Sequence, residues 1–343
     1  MRVSIAGGSG YVGGELARWI DQHPFFELSQ ITSERSAGQA VWRTHPHLRH
    51  LTAQRFVPLQ QLEACDLLFC ALPHGALAQS LEEMEGLAPR IVDCSADFRL
   101  NDPEAYQRWY GEQHPAPQWL GRFTYGLPEV NREALSGATH ISGVGCNATA
   151  IQLAVLPLVR AGFLDGAAPV IADVKAGSSE GGASSSAASH HPVRSGCVRT
   201  FSSTGHRHTA EVLQTFGELD VHMTVTSIEV VRGVLATCHA TLAEGVDERE
   251  VLRAYRKLAS KEPFIDVVVE RSGNYRLPEP KLVAGTNQAQ IGFGVDAGSR
   301  RIVALCAIDN LGKGAAGTAI QAANLSCGFE ETAGLTFRGY HPC

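Results

Sequence analysis

The chain of 343 residues is long enough for two ordinary domains, each with its own buried core. Its composition, 44% hydrophobic and 19% charged residues, is typical of a folded globular protein and excludes a disordered or fibrous one. The formal net charge of -6 provides no basic footprint for nucleic acid, so we expect chemistry on small molecules.

The cysteines and the N-terminus indicate a reducing compartment. The nine cysteines are odd in number and scattered, with no C-x-x-C pair, so we expect no disulfide framework. The N-terminus runs straight into strand-like sequence, without the charged and apolar regions of a signal peptide. No apolar run reaches the length of a membrane span. We therefore predict a cytoplasmic protein that does not bind membranes.

The first hundred residues alternate short apolar runs with helix-like stretches, which is the pattern of parallel βαβ units. The predicted elements are strands Val3–Ala6, Phe26–Thr32, Cys65–Leu72 and Ile91–Cys94 and a helix Glu15–Gln22. The stretch Asn101–Gly121, rich in aromatics, Pro and Gln, breaks this rhythm and predicts an irregular excursion.

After a strand at Thr139–Val144 the chain turns sharply around Cys146 and enters a helix predicted at Ala150–Ala161. Beyond it, β-like alternation predicts an antiparallel or mixed sheet from Val170–Lys175, Val221–Val231, Gly233–Ala243, Phe264–Arg271 and Arg301–Ile308. We place a first domain at 1–146 and a second at 147–312. A segment 313–343, containing a helix at Lys313–Leu325, is expected to return to the first domain.

The Gly/Ser/Ala tract Gly177–Ser189 has the composition of a flexible linker. It lies inside the predicted second domain rather than between the domains. We therefore interpret it as an active-site loop.

A glycine-rich segment stands between the first strand and the first helix. It has the form Gly8-x-Gly10-x-x-Gly13, and also Gly7-x-x-Gly10-x-x-Gly13. At such a junction, backbone N–H groups and the helix dipole bind the pyrophosphate of a dinucleotide. The alternative is a turn that merely lets strand and helix pack closely. The βαβ setting favours the dinucleotide site.

The end of the second strand is expected to select between the two nicotinamide dinucleotides. An acid there accepts the ribose hydroxyl of NAD, whereas an Arg accommodates the 2′-phosphate of NADP. Glu34 suits NAD, but Ser33 and Arg35 together supply a hydroxyl and a guanidinium for a phosphate. We predict NADP(H).

Cys146 is the candidate nucleophile. It lies where the backbone turns from strand into helix, so its sulfur is expected near the positive end of the helix dipole, which stabilises a thiolate. The alternative is an inert buried thiol, which is the commonest role of cysteine.

A thiolate needs an acid/base partner, and His206, His208 and Glu211 form the candidate cluster. His208 with Glu211 three residues on fits a base oriented by a carboxylate. In an extended segment the two histidines point the same way, as in a metal site. Since no third ligand is evident, we predict no metal site.

Six segments carry a family resemblance and span residues 1 to about 315: Gly7–Gly13, Leu72–Gly75, Ser95–Leu100, Tyr125–Glu129, Gly145–Thr149 and His206–His208. With these segments the chain resembles the N-acetyl-gamma-glutamyl-phosphate reductase family, relatives of aspartate-semialdehyde and glyceraldehyde-3-phosphate dehydrogenases. The resemblance implies an α/β protein with a Rossmann-type dinucleotide-binding domain. It also implies an α+β catalytic and dimerisation domain similar to that of glyceraldehyde-3-phosphate dehydrogenase, and a homotetramer or homodimer.

The resemblance also implies residue roles in an NADP-dependent oxidoreductase that acts on an acyl phosphate. Cys146 becomes the nucleophile and His208 the acid/base, with Glu211 beside it. Asn310 is expected near the nicotinamide half of the cofactor. With the glycine segment, the expected cofactor contacts are Gly7, Ser9, Gly10, Tyr11, Val12, Gly13, Ser33, Glu34, Arg35 and Asn310.

One departure separates the chain from the arginine-pathway pattern. That pattern has an aromatic residue and Pro after the nucleophile, whereas Asn147 and Ala148 follow here. The Cys-Asn-Ala-Thr form resembles the lysine-pathway branch, whose enzymes reduce aminoadipate phosphate, or in some organisms glutamate phosphate, tethered to the acidic carrier protein LysW. Arg194 and Arg199 in the segment His190–Arg199 are candidates to meet such a carrier, and a solvated surface loop is the alternative.

The predicted reaction is thioester formation at Cys146, hydride transfer from NADPH, and release of an aldehyde. Arg99, Lys175 and Arg207 are unranked candidates to hold the departing phosphate. The enzyme alternative is reduction of free N-acetyl-glutamyl phosphate in arginine synthesis. A non-catalytic NADP-binding sensor leaves the pairing of Cys146 with His208 unexplained, and a thiol hydrolase leaves the glycine segment and Arg35 without a purpose.

Overall fold

The computed structural model describes residues 1–217, 219–296 and 298–342. The chain divides into two compact units. Unit 1 comprises residues 1–144 and 315–336, and unit 2 comprises residues 145–314 and the chain from Phe337 onward. The structural division differs from the sequence-based one by placing residues 145–146, residues 313–314 and the C-terminal residues from Phe337 in the second unit. No helix within the described residues is both long and apolar enough to span a bilayer.

Unit 1 is built on a parallel sheet. Its described strands are β1 (Arg2–Ala6), β2 (Glu27–Thr32), β3 (Phe56–Val57), β4 (Leu67–Cys70), β5 (Ile91–Asp93), β6 (Thr124–Tyr125) and β7 (His140–Ser142). The strand order is β3-β2-β1-β4-β5-β7-β6, and every neighbouring pair is parallel. The chain runs outward from β1 in both directions, which creates a switch point where ligands bind at the carboxyl ends of the strands. The predicted Rossmann-type architecture is confirmed.

The helices in the N-terminal part of unit 1 are α1 (Tyr11–Asp21), α2 (Val41–Thr44), α3 (Ala76–Glu85), α4 (Pro103–Tyr110) and α5 (Pro128–Leu135). The predicted irregular excursion at Asn101–Gly121 is wrong in part, because α4 occupies its first half. Asp102 starts this helix by accepting hydrogen bonds from the N–H groups of Glu104 and Ala105, at 3.1 and 3.2 Å.

Unit 2 contains a mixed sheet. Its described strands are β8 (Val170–Ala176), β9 (Arg199–Ser202), β10 (Val221–Ser227), β11 (Val234–Thr241), β12 (Ile265–Val267), β13 (Ala289–Val295) and β14 (Arg301–Ile308). The order is β12-β13-β14-β11-β8-β10-β9. The pairs β8/β10 and β12/β13 are parallel and the remaining pairs are antiparallel. The predicted mixed sheet is confirmed, although β9 and β13 were not predicted.

Helices cover one face of this sheet. They are α6 (Cys146–Ala161), α8 (His208–Phe216) and α9 (Glu248–Ala259). A short helix, α7 (His191–Arg194), follows β8 and precedes β9 along the chain. The central helix α6 is buried from Cys146 to Leu158 and packs on β11 and β14. Tyr255 of α9 donates a hydrogen bond of 2.8 Å to the backbone oxygen of Ala154. The sheet therefore supports α6, which carries the candidate nucleophile at its first residue.

The C-terminal part of the chain returns to unit 1. A π-helical turn at Gly312–Ala316 leads into α10 (Gly317–Cys327), which packs against α1 and α5. The buried Asn324 of α10 pairs with His23 Nε2 at 2.9 Å. Ser326 donates a hydrogen bond of 2.5 Å to the backbone oxygen of Ala138. These buried polar contacts fix α10 in register against the N-terminal part of unit 1.

Candidate active site and dinucleotide site

The glycine segment forms a tight turn between β1 and α1. Gly7 has a φ of +83°, and a Cβ there would approach the Ala71 oxygen to 2.5 Å. A Cβ on Gly13 would lie 2.6 Å from the Gly8 Cα. The helix α1 begins at Tyr11 with Gly10 as its N-cap and has no acidic residue in its first turn. The N-terminus of α1 thus offers N–H groups and a positive dipole end to an anion.

The other predicted contacts of this segment lie at its surface. Tyr11 is exposed, and Ser9 and Val12 are partly exposed. The buried His45, which sequence analysis missed, contacts the Gly8 oxygen through Nε2 at 2.8 Å. Burial lowers the pKa of His45, although the Gly8 hydrogen bond opposes this. Neutral His45 then donates to Gly8 and holds the turn, a role that no local signal in the sequence indicates.

The three residues after β2 have different environments. Ser33 is buried, and its hydroxyl donates to Ser9 Oγ at 2.9 Å. Glu34 is exposed, and its Oε1 accepts a hydrogen bond of 2.7 Å from the Leu59 N–H. Arg35 is exposed and makes no hydrogen bond or ion pair with any residue that the structure describes. The carboxylate is therefore engaged by the backbone, whereas the guanidinium has all its donors available.

Two of the recognised motifs meet beside the sheet of unit 1. The buried Asp97 accepts hydrogen bonds from the N–H groups of Gly75 and Ala78, at 2.6 and 3.0 Å, and contacts His74 Nδ1 at 2.7 Å. Burial opposes ionisation of Asp97, but these hydrogen bonds outweigh it and hold its pKa below the usual value. Burial and the charge of Asp97 raise the pKa of Asp93 to about 6. This network joins the start of α3 to the end of β5.

Cys146 is the first residue of α6, with Gly145 as the N-cap. The helix therefore begins four residues before the predicted start at Ala150. Cys146 is only 8% exposed, and a Cβ on Gly314 would lie 2.6 Å from the Cys146 Cβ. The first turn of α6 contains no acidic residue. The sulfur thus lies at the positive end of a long buried helix, where a thiolate is favoured.

Glu180 lies against the thiol and was missed in the sequence. The Cys146 Sγ is 3.5 Å from Glu180 Oε1, and Asn147 Nδ2 donates to the same oxygen at 2.6 Å. Burial raises the pKa of Glu180, and the hydrogen bonds from Asn147 and Cys146 and the charge of Arg207 oppose this shift. The Gly/Ser tract therefore reaches Cys146, in agreement with the active-site loop interpretation. Glu180 is the only carboxylate in that tract, which was the available signal.

His208 begins helix α8, so the extended conformation considered for His206 and His208 is wrong. The His206 ring meets the His208 ring edge to face, with centroids 4.6 Å apart. His208 is 6% exposed, and its Nε2 lies 4.0 Å from Glu211 Oε1. The other oxygen of Glu211 accepts a hydrogen bond of 2.8 Å from the Gly145 N–H. Glu211 thus faces His208 and also holds the residue that precedes Cys146.

The structure brings the chemically active groups of unit 2 together. Three side-chain atoms, one from each of Cys146, Glu180 and His208, lie within 4.8 Å of one another. This separation permits proton movement between thiol and imidazole after a small rotation of either side chain. The geometry can therefore generate a thiolate beside a proton donor.

Asn310 lies on the other side of the loop. Its Nδ2 donates to Ser179 Oγ at 2.9 Å, and its Oδ1 accepts from the Gly233 N–H at 2.8 Å. Asn310 thereby anchors the residue before Glu180. Its contact with the cofactor stays a prediction.

The candidate phosphate ligands have different surroundings. Lys175 Nζ pairs with Asp173 at 2.7 Å. Arg207 is exposed, and its charge acts on Glu180. Arg99 belongs to unit 1, where it is buried and donates to the Ser95 oxygen at 3.0 Å. Of the three, Arg207 is the one whose charge acts on a residue of the thiol cluster.

The sheet order, the glycine turn and the buried thiol with its histidine define a dinucleotide-dependent oxidoreductase. The family profile of the semialdehyde dehydrogenase NAD binding domain matches residues 2–138, and that of the semialdehyde dehydrogenase dimerisation domain matches residues 146–310. The chain belongs to the semialdehyde dehydrogenase family and uses a nicotinamide dinucleotide. The predicted family resemblance is confirmed.

Similar proteins span the full chain. It is 48% identical to LysW-L-2-aminoadipate 6-phosphate reductase of Deinococcus radiodurans, covering 99% of this chain and 98% of the relative. It is 41% identical to LysW-L-2-aminoadipate/LysW-L-glutamate phosphate reductase of Saccharolobus solfataricus, covering 98% and 97%. The fold matches aspartate semialdehyde dehydrogenase II of Vibrio cholerae with a TM-score of 0.70 at 17% identity, covering 94% and 97%.

We expect Gly13→Ala to lower the free energy of unfolding by about 1–3 kcal/mol, because the new methyl group overpacks the Gly8 backbone. Urea unfolding followed by circular dichroism measures this loss. Gly10→Ala is the matched control, since a Cβ there meets no atom within 4 Å. Equal losses in the two variants would contradict the close packing of α1 on the turn.

Proposed function

We propose that the chain reduces the acyl phosphate of LysW-bound aminoadipate to the semialdehyde, with NADPH as the reductant and release of inorganic phosphate. The observation that carries this proposal is the 48% identity over the full length with a reductase of that name. The Asn147 that follows the nucleophile supports the same branch. LysW-bound glutamate phosphate is the second substrate class, because the name of another relative includes it.

In this reaction Cys146 is the nucleophile. Its thiolate attacks the carbonyl carbon, the bond to the phosphate oxygen breaks, and phosphate leaves while a thioester forms. The position at the start of α6 favours the thiolate, and the N–H groups of the same helix turn can stabilise the oxyanion. The nicotinamide dinucleotide, when bound, supplies the hydride that reduces the thioester.

His208 acts as the acid/base. It accepts the thiol proton before attack. After hydride transfer, the alkoxide oxygen of the reduced intermediate re-forms the carbonyl as the carbon–sulfur bond breaks, the aldehyde leaves, and the imidazolium returns its proton to the departing thiolate. Glu211, at 4.0 Å from His208 Nε2, favours the protonated imidazole during these steps. Since Glu211 is fully buried and bonded to Gly145, its carboxylate has a fixed position.

NADP(H) is the proposed dinucleotide because of the residues after β2. The Glu34 carboxylate is oriented by a hydrogen bond from the Leu59 N–H to its Oε1, which directs this oxygen to the backbone and not to a ribose hydroxyl. Arg35 presents a guanidinium that suits a 2′-phosphate, and the Ser33 hydroxyl lies beside it in sequence. The residues present therefore fit a phosphorylated cofactor.

A LysW-type carrier and a homodimer or homotetramer are the proposed partners. The match to a dimerisation domain supports self-association, and on β8 the apolar Ile171 is 44% exposed. In the segment proposed for the carrier, Arg194 donates to the Ile228 oxygen and Arg199 to the Val193 oxygen. Both arginines order this segment, and each retains its positive charge for an acidic carrier.

The substrate is tested in the reverse direction, by phosphate-dependent reduction of NADP+. One reaction contains carrier-bound aminoadipate semialdehyde, a second the carrier-bound glutamate analogue, and a third free N-acetyl-glutamate semialdehyde. Turnover is expected only with the carrier-bound substrates. Turnover with the free substrate alone would assign the chain to the arginine-pathway activity instead.

Cys146→Ser is expected to abolish turnover and leave NADPH binding nearly unchanged, because a serine alkoxide forms far less readily than a thiolate. Stopped-flow rates and NADPH fluorescence titration measure the two properties. Cys327→Ser, a partly buried cysteine of unit 1, is the control and should keep its activity. Substantial turnover by Cys146→Ser would disprove the thioester route.

His208→Asn should retain the fold and lower the rate by roughly two to four powers of ten, which is the usual effect of losing a general acid/base. The comparison is His206→Asn, which removes the neighbouring ring. Because His208 is the histidine of this pair that lies beside Glu211, we expect a smaller loss of rate in His206→Asn than in His208→Asn. Single-turnover rates of the two variants measure these losses. A larger loss of rate in His206→Asn than in His208→Asn would assign the acid/base role to His206.

Arg35→Ala should weaken the binding of NADPH by about ten- to a hundredfold, since a lost charge-assisted hydrogen bond costs roughly 1.5–3 kcal/mol. NADH lacks the 2′-phosphate and should bind almost as before. Titration of both dinucleotides separates the cases, with the exposed Arg43→Ala as control. Equal losses for NADH and NADPH would show that Arg35 supports the fold rather than the phosphate.

A further inference from the structure

We propose that Cys146, Glu180 and His208 form a binding site for a soft divalent cation, with Zn²⁺ as the test ion. The bound ion would occupy the thiolate and block its attack, so this site would inhibit the enzyme reversibly. The inference goes beyond the proposed reductase reaction and does not require it.

The distances between the three groups suit a shared ion. One ligand atom from each of the three residues lies within 4.8 Å of the other two. The Cys146 Sγ and Glu180 Oε1 are 3.5 Å apart. Tetrahedral zinc, with bonds of about 2.3 Å to sulfur and about 2.1 Å to oxygen, requires these two atoms to be roughly 3.6 Å apart. This pair of ligands therefore needs almost no movement, and His208 closes the set after a small adjustment.

The donor types select the ion. Thiolate, imidazole and carboxylate are the ligands that zinc takes in proteins, and three of them leave a fourth position for water. Sulfur and nitrogen disfavour Mg²⁺ and Ca²⁺, which take oxygen ligands. The cluster thus has the composition of an open zinc site.

Glu180 adds an independent indication. Its Oε2 is buried and has no hydrogen-bond partner among the described residues. The other oxygen is fixed by Asn147 at 2.6 Å. A buried carboxylate oxygen without a donor is costly, and a metal ion satisfies it. The side chain is therefore oriented, with an unused acceptor, at the edge of the cluster.

The surrounding charges favour a cation on balance. Glu211 places a second buried carboxylate 4.0 Å from the His208 ring. With the Cys146 thiolate and Glu180 this provides three negative charges around one imidazole. The charge of Arg207, which acts on Glu180, opposes binding but lies on an exposed side chain screened by solvent.

Cobalt is the spectroscopic probe, because a Co²⁺–thiolate bond gives a charge-transfer absorption that oxygen and nitrogen ligands do not. Co²⁺ is added to the full chain, freed of chelators and without substrate or dinucleotide, and Zn²⁺ is then titrated in competition. We expect one ion per chain and loss of the charge-transfer band in Cys146→Ser. Absence of this band at saturating Co²⁺ would overturn the proposal.

Ligand variants identify the site. Glu180→Gln removes the charged ligand and should weaken Zn²⁺ binding by at least about tenfold. His222→Asn, on an exposed histidine paired with Asp220 at 3.2 Å, is the control and should bind as the unmodified chain does. If Glu180→Gln does not fold, Glu180→Asp replaces it, and its shorter carboxylate should weaken binding severalfold. Unchanged affinity in the folded Glu180 variant would refute the role of Glu180 and with it the site.

Thiol protection separates this inference from the proposed function. Zn²⁺ should slow alkylation of Cys146 by iodoacetamide, and a chelator should restore the rate. A chain that reduces its substrate but shows no protection would disprove only the metal site. A chain that binds Zn²⁺ with protection but has no reductase activity would disprove only the proposed function.

Discussion

The buried hydrogen bond from the Gly145 N–H to Glu211 supports the whole thiol site. Gly145 has no side chain to cap α6, and the Glu211 carboxylate accepts its N–H at 2.8 Å from another helix. A bond of this kind to a charged group contributes about 1.5–3 kcal/mol. The same carboxylate faces His208 Nε2 at 4.0 Å, and both side chains belong to α8, so the hydrogen bond to Gly145 ties the start of the nucleophile helix to the helix that carries the base. Nucleophile and base therefore cannot drift apart independently.

Two amides attach the Gly/Ser loop to this frame. Asn310, which follows β14, holds Ser179, while Asn147 in the first turn of α6 holds Glu180. An aromatic residue at position 147 has no side-chain amide to donate this hydrogen bond, so the departure from the arginine-pathway pattern has a structural counterpart in Glu180. The departure at position 147 thus lies beside the sulfur, where it positions the Glu180 carboxylate.

Local pattern explains which features could be predicted. The βαβ alternation, the glycine turn and the position of Cys146 at a strand-to-helix junction depend on neighbouring residues, and each is readable within a short window. The Glu180 contact joins residues 34 positions apart, so only the folded chain reveals it. Some signals were present but unused: Asp102 before a Pro, and Asp247 with Glu250 three residues on, are N-cap patterns for α4 and α9. The start of α8 at His208 was not predicted, because the sequence around His206 is polar and suggests a turn.

The environment of Glu34 bears on cofactor choice more than its charge does. An acid at this position selects NAD only if its carboxylate is free to accept the ribose hydroxyls. Here its Oε1 accepts the Leu59 N–H at 2.7 Å and fixes the orientation of the carboxylate, so a ribose hydroxyl must meet the other oxygen in this orientation or exchange places with the backbone donor. The exchange gains little for NAD. In the proposed complex with NADP(H), the 2′-phosphate meets Arg35, whose donors are unused by the described residues, so its binding adds an interaction without breaking one. The proposal of the phosphorylated dinucleotide thus rests on the hydrogen bonds available to Glu34 and Arg35, and not on the absence of an acid.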